Sequence, residues 1–365
     1  MHGEELKFIK EAFDTNWVAP LGKNVDGFEE DMQKYLGEGM YAAALSSGTD
    51  AIYLALLISG IKRDDIVFGQ SLTFAATVNP ISYLGAVPVF IDSETESWNM
   101  DPNALRKAFE KYPDAKAVVA ADLYGTPAKL DELEKICDEH GAIFIEDSAE
   151  SLGASYKGQK TGRFGKMGIL SFNGNKIITT SGGGMLVSKD EEAVKKARFL
   201  ATQAREKARH YEHKEIGYNF RMSNIVAGIG RGQMLHLDEH VRLKREIRKR
   251  YEEAFKDIED ISFNPYYKDS EPNAWLTCIT IKEESKVKPL DIILALEEEN
   301  IETRPIWKPM HLQPVYAERD FIQVKEGMSV SEDIFNRGVC LPSDIKNTDE
   351  DMEKIISIIR GLFGK

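Results

Sequence analysis

The sequence contains few cysteines and no long apolar run. Cys137, Cys278 and Cys340 are far apart and none belongs to a C-x-x-C pair, so neither a disulfide framework nor a zinc site is indicated. No apolar run reaches membrane-spanning length, and the first residues show neither a signal-peptide nor a transit-peptide pattern. We therefore predict a cytoplasmic protein that makes no use of a membrane.

The sequence also lacks excess positive charge and several common catalytic motifs. Its 60 acidic and 47 basic side chains give a formal charge of −13, which argues against a nucleic-acid partner because such proteins bind phosphates with clustered lysine and arginine. No G-x-G-x-x-G follows the first predicted strand, and neither a P-loop nor a G-x-S-x-G elbow occurs. These absences exclude a classical NAD-binding protein, a P-loop NTPase and an α/β-hydrolase.

What is present is the patterning of a globular α/β protein. Hydrophobic residues make up 42% and charged residues 29% of the 365 residues, a length that favours two domains. Between residues 40 and 190, short β-rich runs alternate with helical patterns, which predicts βα units on a mostly parallel sheet. The predicted strands are Tyr41–Leu45, Ile66–Gly69, Val87–Ile91, Ala117–Asp122, Ala142–Asp147 and Met167–Phe172.

The pattern changes after residue 220. A long helical stretch begins near Ser223 and contains a basic run, Arg242–Arg250, which we interpret as a solvated helix face. Elements of a second, smaller α+β unit follow, so a domain boundary is predicted at residues 235–245. The other predicted elements are the helices Asp101–Lys111, Ala128–His140, Pro289–Glu299 and Thr348–Leu362, a helix after Leu72 that breaks at Pro80, and the strand Trp275–Ile281.

Residues 236–240 match the H-x-x-E-H pattern of a zinc peptidase helix. Two histidines four residues apart on a helix can share a metal ion. The pattern is short, however, it opens a highly charged helix, and no downstream carboxylate motif supplies a third ligand. We therefore predict a solvated helix face and no metal site.

Small hydroxyl residues and a glycine follow the first predicted strand. Ser47, Gly48 and Thr49 stand at a predicted helix start, where unpaired backbone N–H groups suit a phosphate. An ordinary helix N-cap has the same composition. The segment alone therefore leaves both interpretations open.

Carboxylates stand at the end of the fifth predicted strand, at the sheet edge where parallel α/β proteins bind ligands. Asp147 and Glu150 follow an apolar run, and a carboxylate there is costly to bury unless it meets a cation, a metal ion or several donors. One interpretation is an acid that caps a helix. The other is an anionic partner for a protonated ring nitrogen or a metal.

A lysine in a tight turn is the most unusual feature of the sequence. Lys176 follows Asn173-Gly174-Asn175, with Ser171 before the turn and Gly182-Gly183-Gly184 behind it. Most lysines are solvated, but this one is flanked by apolar strands and small residues. Desolvation in such surroundings lowers the pKa of an amine and favours a nucleophile or a Schiff-base former.

Taken in order, these segments resemble a known family. The matching segments are Ser47–Thr49, Leu72–Asn79, Glu146–Glu150, Ser171–Lys176 with Gly182–Gly184, Gly217–Asn224 and Glu302–Trp307. They are similar to the pyridoxal-phosphate-dependent sugar-nucleotide aminotransferases, the DegT/StrS branch of the aspartate-aminotransferase fold. The resemblance covers nearly the whole chain. It implies an α/β protein with a three-layer large domain on a mostly parallel sheet and a smaller C-terminal α+β domain.

The resemblance also implies domain limits. Residues 1–15 would form an amino-terminal segment that packs near the small domain. Residues 16–240 would form the large cofactor-binding domain and residues 241–365 the small domain.

Pyridoxal 5′-phosphate is the cofactor that the resemblance implies. Lys176 would bind it as a Schiff base, and Asp147 would keep the pyridine nitrogen protonated, so that the ring acts as an electron sink. Both are predicted catalytic residues. Phe74 would stack on the ring, and Glu150, where many relatives carry Gln or His, would lie near the ring hydroxyl. The remaining predicted cofactor-binding residues, on the phosphate side, are Ser47, Gly48, Thr49, Ser171 and Asn219.

The resemblance implies partners as well. Asn219 matches a family residue that reaches the phosphate of the neighbouring subunit's cofactor, so we expect a homodimer with shared active sites. Lys176 predicts transamination, because family members that dehydrate sugars carry histidine at this position. The predicted substrate-binding residues, for the carboxylates of an L-glutamate donor, the nucleotide diphosphate or both, are Asn175, Arg205, Arg221, Arg304 and His311.

A narrower resemblance concerns the substrate. Residues Thr202–Glu206 and His210–His213, together with the Lys176 turn, are similar to 4-aminotransferases that convert a UDP-linked 2-acetamido-4-keto-6-deoxy sugar to its 4-amino form, as in bacillosamine biosynthesis. This predicts the same reaction for the chain. The alternatives are a 3-keto-sugar aminotransferase, an enzyme of dTDP- or GDP-linked sugars, and a regulatory protein that only binds the cofactor.

Overall fold

The structure is a computed structural model that describes all 365 residues. Its strands are β1 (Tyr41–Leu45), β2 (Ile66–Gln70), β3 (Val87–Ile91), β4 (Ala117–Ala121), β5 (Ile143–Asp147), β6 (Ser155–Tyr156), β7 (Gln159–Lys160), β8 (Met167–Ser171), β9 (Gly184–Ser188), β10 (Ile261–Phe263), β11 (Ser270–Glu271), β12 (Cys278–Ile281), β13 (Arg304–Pro305), β14 (Phe321–Ile322) and β15 (Gly338–Cys340). Its helices are α1 (Glu4–Asp14), α2 (Lys23–Leu36), α3 (Gly48–Ile58), α4 (Asn79–Tyr83), α5 (Pro102–Lys111), α6 (Leu130–His140), α7 (Glu191–Ala201), α8 (Asn224–Met234), α9 (Leu237–Phe255), α10 (Pro289–Glu298), α11 (Val330–Arg337) and α12 (Asp349–Leu362).

The largest sheet has eight strands in the order β1-β9-β8-β5-β4-β2-β3-β14. Only β9 runs antiparallel to its neighbours, so the sheet is mostly parallel. Alternate residues of each strand point to opposite faces, and one face packs against α3 and α7. The other face packs against α5 and α6 at one end and against α2 and α8 at the other. This arrangement confirms the predicted three-layer α/β architecture.

A second, antiparallel sheet has the order β10-β12-β15-β13. Its apolar face packs against α9, α10 and α12 in a separate core cluster that includes Tyr251, Ile279, Leu296 and Ile359. This sheet is the smaller α+β unit that the sequence predicts at the C-terminal end. None of the twelve helices combines the length and the apolarity needed to cross a membrane.

The C-terminal part of the chain contributes a strand to each of two sheets built by the first part. β14 pairs in parallel with β3 at the edge of the large sheet, and β11 pairs with β6 in a small three-stranded sheet. The predicted boundary at residue 240 falls inside α9, and α1 packs along α8, where Gln233 Nε2 donates to Glu5 Oε1 over 2.7 Å. The domain limits 1–15, 16–240 and 241–365 stay a prediction.

The predicted elements agree with the structure to within a few residues. All six strands predicted between residues 40 and 190 are present. The helical segment after Leu72 is broken, but at Val78, between a 3₁₀ turn and the short α4 whose first turn contains Pro80. The long helical stretch from Ser223 is two helices, α8 and α9, separated at Leu235 and His236. Strand β9 was not predicted, because three glycines stand at its start and obscure the β-rich pattern.

Candidate active site

A cavity of about 270 Å³ lies at the carboxyl ends of β1, β5 and β8. These strands run in the same direction, so the residues that follow them meet at one edge of the sheet. Eight of the nine predicted cofactor-binding residues line this cavity: Ser47, Gly48, Thr49, Phe74, Asp147, Glu150, Ser171 and Lys176. The ninth, Asn219, lies elsewhere.

The start of α3 forms one end of the cavity. The Ser47 hydroxyl caps the helix by accepting a hydrogen bond from the Asp50 backbone N–H over 3.0 Å. The N–H groups of Gly48 and Thr49, in the first turn, have no helical carbonyl to bind. A side chain at Gly48 would place its Cβ 3.1 Å from the Ser171 Cβ, so glycine lets the helix start approach the end of β8. This end of the cavity therefore suits a phosphate.

Asp147 occupies the cavity wall at the end of β5, and its side chain is almost fully buried. Its carboxylate accepts hydrogen bonds only from the Thr77 hydroxyl, over 2.7 Å, and from the Ala149 N–H, over 3.1 Å. Burial raises the pKa of Asp147, while the Thr77 hydrogen bond and the charge of Lys176 oppose the rise. A buried carboxylate with so few donors is stabilised as an anion when a cationic group enters the cavity.

Lys176 projects into the cavity from the turn after β8, and only 10% of its side chain is exposed. Its Nζ lies 3.8 Å from Glu150 Oε1 and 4.3 Å from the centre of the Trp275 ring. Burial lowers the pKa of Lys176, although the charges of Glu150 and Asp147 oppose this. The amine is therefore easier to deprotonate than a surface lysine, as the sequence predicts.

Two distant side chains hold the Lys176 turn in place. Trp275 Nε1 donates to the Asn175 carbonyl over 2.7 Å, and His240 Nδ1 donates to the Ile177 carbonyl over 2.8 Å. Sequence reasoning missed Trp275 because it lies 99 positions from Lys176 in the chain. It also missed Thr77, although this threonine belongs to the segment 72–79 that carries part of the family resemblance.

Glu150 gives the stability of the cofactor-free protein a pH dependence. Burial raises its pKa from 4.5 to about 7, against the charge of Lys176 and a hydrogen bond from the Tyr124 N–H. A carboxyl whose pKa rises on folding stabilises the fold fully below its unfolded pKa, and this contribution is lost as the pH rises through the folded pKa. Between pH 5 and pH 8 we expect a loss of about 2.5 kcal/mol from Glu150.

Glu150→Gln cannot ionise, so its free energy of unfolding will fall less over this pH range than that of the unmodified protein. Urea unfolding of both cofactor-free proteins at the two pH values measures the difference. Asp122, whose pKa burial also raises to about 7, is present in both proteins and gives both a pH dependence of their own. An equal pH dependence in the two proteins would contradict the prediction.

A larger cavity, of about 1100 Å³, adjoins the first one at Phe74, whose side chain lines both. The predicted substrate residues Asn175 and Arg304 line this larger space, together with Trp275 and Trp307. The Phe74 and Trp307 ring centres are 5.3 Å apart. Arg304 is exposed and pairs only with a neighbouring glutamate, so its guanidinium is available to an anion.

A third cavity, of about 740 Å³, contains two more of the predicted basic residues, Arg205 and Arg221. Arg205, Arg221 and Asn219 line it, with Lys207 and Arg209. The buried Arg221 Nε has no hydrogen-bond partner, and burial lowers the pKa of this guanidinium. An unpaired buried donor among several cationic side chains suits an anion.

The structure does not bring His311 to any of these cavities. Its Nδ1 lies 2.6 Å from the Ser71 hydroxyl and its Nε2 3.1 Å from Glu332, while its ring stacks on Phe321. Both ring nitrogens are therefore already occupied. In this chain His311 links β14 and α11 to the segment after β2, and its substrate-binding role stays a prediction.

Pyridoxal phosphate fits the residues of the 270 Å³ cavity. The start of α3 offers N–H groups and hydroxyls to its phosphate, and Asp147 offers a buried anion to its ring nitrogen. Lys176 offers an amine of lowered pKa to its aldehyde. Phe74 lines the opening, where an aromatic ring meets the face of a bound ring. The donor set thus matches an anionic, aromatic aldehyde.

Comparisons with known proteins agree with this chemistry. A match to the DegT/DnrJ/EryC1/StrS aminotransferase family covers residues 1–360. EpsN of Bacillus subtilis (strain 168), whose assigned name is that of a pyridoxal phosphate-dependent aminotransferase, is 51% identical over 100% of this chain and 94% of EpsN. GDP-perosamine synthase of Vibrio cholerae is 33% identical over 100% of this chain and 97% of that protein.

A further relative and a solved structure extend the comparison. The UDP-4-amino-4,6-dideoxy-N-acetyl-beta-L-altrosamine transaminase of Campylobacter jejuni (strain 81-176) is 34% identical over 64% of this chain and 62% of that protein. The crystal structure of a DegT DnrJ EryC1 StrS aminotransferase from Brucella abortus has a TM-score of 0.90 and 28% identity, covering 100% of this chain and 96% of that one. The chain therefore belongs to the DegT/DnrJ/EryC1/StrS aminotransferase family and is a pyridoxal phosphate-dependent sugar aminotransferase.

Proposed function

We propose that the enzyme transfers an amino group from L-glutamate to carbon 4 of a nucleotide-linked 4-keto-6-deoxy sugar. The substrate that the segments Thr202–Glu206 and His210–His213 favour is UDP-2-acetamido-2,6-dideoxy-4-ketohexose, and the product is its 4-amino sugar. The observation that carries the proposal is the position of Lys176. Its buried amine faces Glu150 in a cofactor-sized cavity, and this cavity adjoins, at Phe74, a second one large enough for a nucleotide sugar.

In the 270 Å³ cavity, some residues would bind the cofactor and others would transfer protons. When bound, pyridoxal phosphate supplies an electron sink through which an amino group passes between an amino acid and a keto sugar. Asp147 holds negative charge at the buried end, where Thr77 fixes the orientation of its carboxylate. Lys176 Nζ, with its lowered pKa, would carry a proton between the substrate carbon and the cofactor carbon.

Glu150 acts beside Lys176. Its Oε2 accepts a hydrogen bond from the Tyr124 N–H over 2.6 Å, which leaves Oε1 facing Lys176 Nζ at 3.8 Å. With a pKa of about 7, Glu150 changes its protonation near neutral pH. It is therefore placed to hold a proton next to the amine, or to stabilise the amine when it is charged.

The location of Asn219 supports a homodimer with shared sites. Asn219 lines the 740 Å³ cavity with Arg205 and Arg221, whereas Lys176 lies in the 270 Å³ cavity of the same chain. Within one chain, the predicted phosphate ligand Asn219 therefore lies outside the cavity that contains Lys176.

The loop that carries Arg205 has an unusual backbone, because the consecutive residues Gln203 (φ 62°) and Ala204 (φ 51°) are both left-handed. Such backbone is retained where a site requires it.

A GDP-linked 4-keto-6-deoxy sugar is the second candidate substrate. The relative named for a GDP-linked sugar matches the whole chain, whereas the one named for a UDP-linked sugar matches 64% of it. The segments Thr202–Glu206 and His210–His213 favour the UDP-linked substrate. Arg304 and the 740 Å³ cavity with Arg205 and Arg221 would bind a diphosphate in either substrate. The choice between the UDP- and GDP-linked sugars must therefore depend on contacts with the nucleotide base.

A panel of nucleotide sugars tests the proposal. The cofactor-loaded enzyme is given L-glutamate and, separately, UDP-, GDP- and dTDP-linked 4-keto sugars and a 3-keto sugar, and the products are identified by mass spectrometry and NMR. We expect the UDP-linked 2-acetamido-4-keto sugar to give a kcat/KM at least about tenfold above the others, a difference of about 1.4 kcal/mol in transition-state binding. A preference for the GDP-linked sugar would establish the second candidate, and amination at carbon 3 would refute both.

A further inference from the structure

Three histidines from distant parts of the chain meet at the start of α9. His2 precedes α1, whereas His236 and His240 flank the first turn of α9. His2 Nε2 lies 2.7 Å from His240 Nε2, and the His2 and His236 rings stack with their centres 3.7 Å apart. The H-x-x-E-H segment therefore acquires the third partner that the sequence did not show, from upstream in the chain.

The side chain of His240 is oriented like a metal ligand. Its Nδ1 lies 2.8 Å from the Ile177 carbonyl oxygen, which can only accept a hydrogen bond. Nδ1 therefore carries the proton and Nε2 keeps its lone pair, which points to His2. Metal-binding histidines commonly donate their other ring N–H to a backbone carbonyl in this way. His240 is also only 4% exposed, so the prediction of a solvated helix face is wrong at this residue.

Carboxylates complete the surroundings of the three rings. Glu239 lies 3.1 Å from His236 Nδ1, and Glu4 lies 3.3 Å from His236 Nε2. One possible ligand atom from each of His2, His236 and Glu239 falls within a group no wider than 4.8 Å. Three imidazoles and a carboxylate are a donor set suited to a divalent ion of the zinc type.

We propose that His2, His236 and Glu239 bind a divalent transition-metal ion such as Zn²⁺, and that His240, which lies outside that group but 2.7 Å from His2, joins them as a fourth ligand when the His2 ring turns. Ligand nitrogens about 2.0–2.1 Å from a tetrahedral ion lie roughly 3.3 Å from each other. The 2.7 Å separation of the His2 and His240 nitrogens must therefore open by about half an ångström. His2 lies outside any helix, so its ring can turn out of the stack with His236, and the ion replaces the proton that His2 shares with His240.

The ion would join two segments that the fold otherwise brings together by packing. It fastens the chain before α1 to the start of α9. Through His240 and the Ile177 carbonyl, it also supports the turn that carries Lys176. The metal has no part in the transfer of the amino group, so the site exists whether or not the proposed substrate is correct.

Zinc binding to the full-length, cofactor-loaded enzyme without a histidine tag tests the proposal. After dialysis against Zn²⁺ and then metal-free buffer, we expect one zinc ion per chain by inductively coupled plasma mass spectrometry. Competition with a fluorescent chelator gives the affinity, which His2→Ala and His236→Ala should each weaken by about tenfold or more. Zn²⁺ should raise the melting temperature of the unmodified enzyme and not that of the double variant.

Controls separate this site from adventitious binding. His210→Ala removes an exposed histidine outside the cluster and should leave zinc content and affinity unchanged. His2 and His236 are only partly buried, so their variants are expected to fold, and retained cofactor absorption verifies this. His240→Gln is a supplementary variant, because His240 is buried. Less than stoichiometric zinc in the unmodified enzyme, or equal zinc in the double variant, would overturn the proposal.

Discussion

Replacing Lys176 with alanine will reduce turnover by at least about 10³-fold, because no other amine in the cavity can attach the cofactor or carry the proton. The variant will keep Asp147 and the residues Ser47–Thr49 at the start of α3, and it should therefore still bind pyridoxal phosphate noncovalently. Its visible absorption will differ from that of the unmodified enzyme, since the cofactor is no longer attached to the chain. Absorption spectra and single-turnover amination of a keto sugar measure the two effects.

Two further lysine variants define what the position requires. Lys195→Ala removes an exposed lysine that pairs with Glu191 and Glu192, and it should retain full activity. Lys176→Arg keeps a positive charge but cannot lose its proton near neutral pH, so it should be as inactive as the alanine variant. Substantial turnover by Lys176→Arg would show that charge, and not a nucleophilic amine, is what the site needs.

The Lys176→Ala variant also tests whether active sites are shared between two subunits. If Asn219 serves the neighbouring subunit, a mixture of Lys176→Ala and Asn219→Ala chains will form hybrid dimers in which one site has both residues. Co-expression should then restore up to about a quarter of normal activity, while each variant alone stays low. A mixture no more active than its better component would contradict the dimer proposed above.

Asp147→Asn is expected to lower kcat by about 10²–10³-fold while the protein still folds and binds its cofactor. Asparagine keeps the shape of the side chain and can accept one hydrogen bond, from Thr77 or from Ala149, but it has no negative charge for a cationic ring nitrogen. The loss should appear in kcat, because the residues Ser47–Thr49 that are predicted to bind the phosphate at the start of α3 are unaltered. Steady-state kinetics with saturating pyridoxal phosphate measure it.

Asp122→Asn is the matched control for this variant. Asp122 follows β4 beside β5, is fully buried and accepts hydrogen bonds from the Ser151 hydroxyl and the Ala128 N–H, but it does not line the cavity. Its raised pKa, about 7, means that it is partly neutral at physiological pH. We expect its kcat to stay within about threefold of normal. If Asp147→Asn behaved in the same way, Asp147 would be a structural residue only.

The sequence predicts most of the cavity because the chemistry is local to strand ends. Ser47 to Thr49, Asp147 and Lys176 each follow a β-rich run, and parallel strands bring such positions to a common edge. Eight predicted cofactor-binding residues accordingly meet in one cavity. The fold class follows from the same alternation of strands and helices.

What the sequence does not predict depends on contacts between distant segments. Trp275 reaches the Lys176 turn from the loop before β12, and no periodicity links the two positions. The family resemblance predicts His311 as a basic substrate-binding residue, yet Ser71 and Glu332 occupy both of its nitrogens. The burial of His240 likewise follows from the docking of α9 against the Lys176 turn, which helical pattern alone does not show.

Strand β14 has a consequence for how the chain is made. The outer edge of β3 is covered by residues 321–322, about 230 positions further along. At a synthesis rate of about 5–20 residues per second, the growing chain keeps this edge open for roughly ten to fifty seconds on the ribosome. An uncovered strand edge is a site of pairing with other chains. The large sheet can therefore be complete, and protected from association with other nascent chains, only when translation is nearly finished.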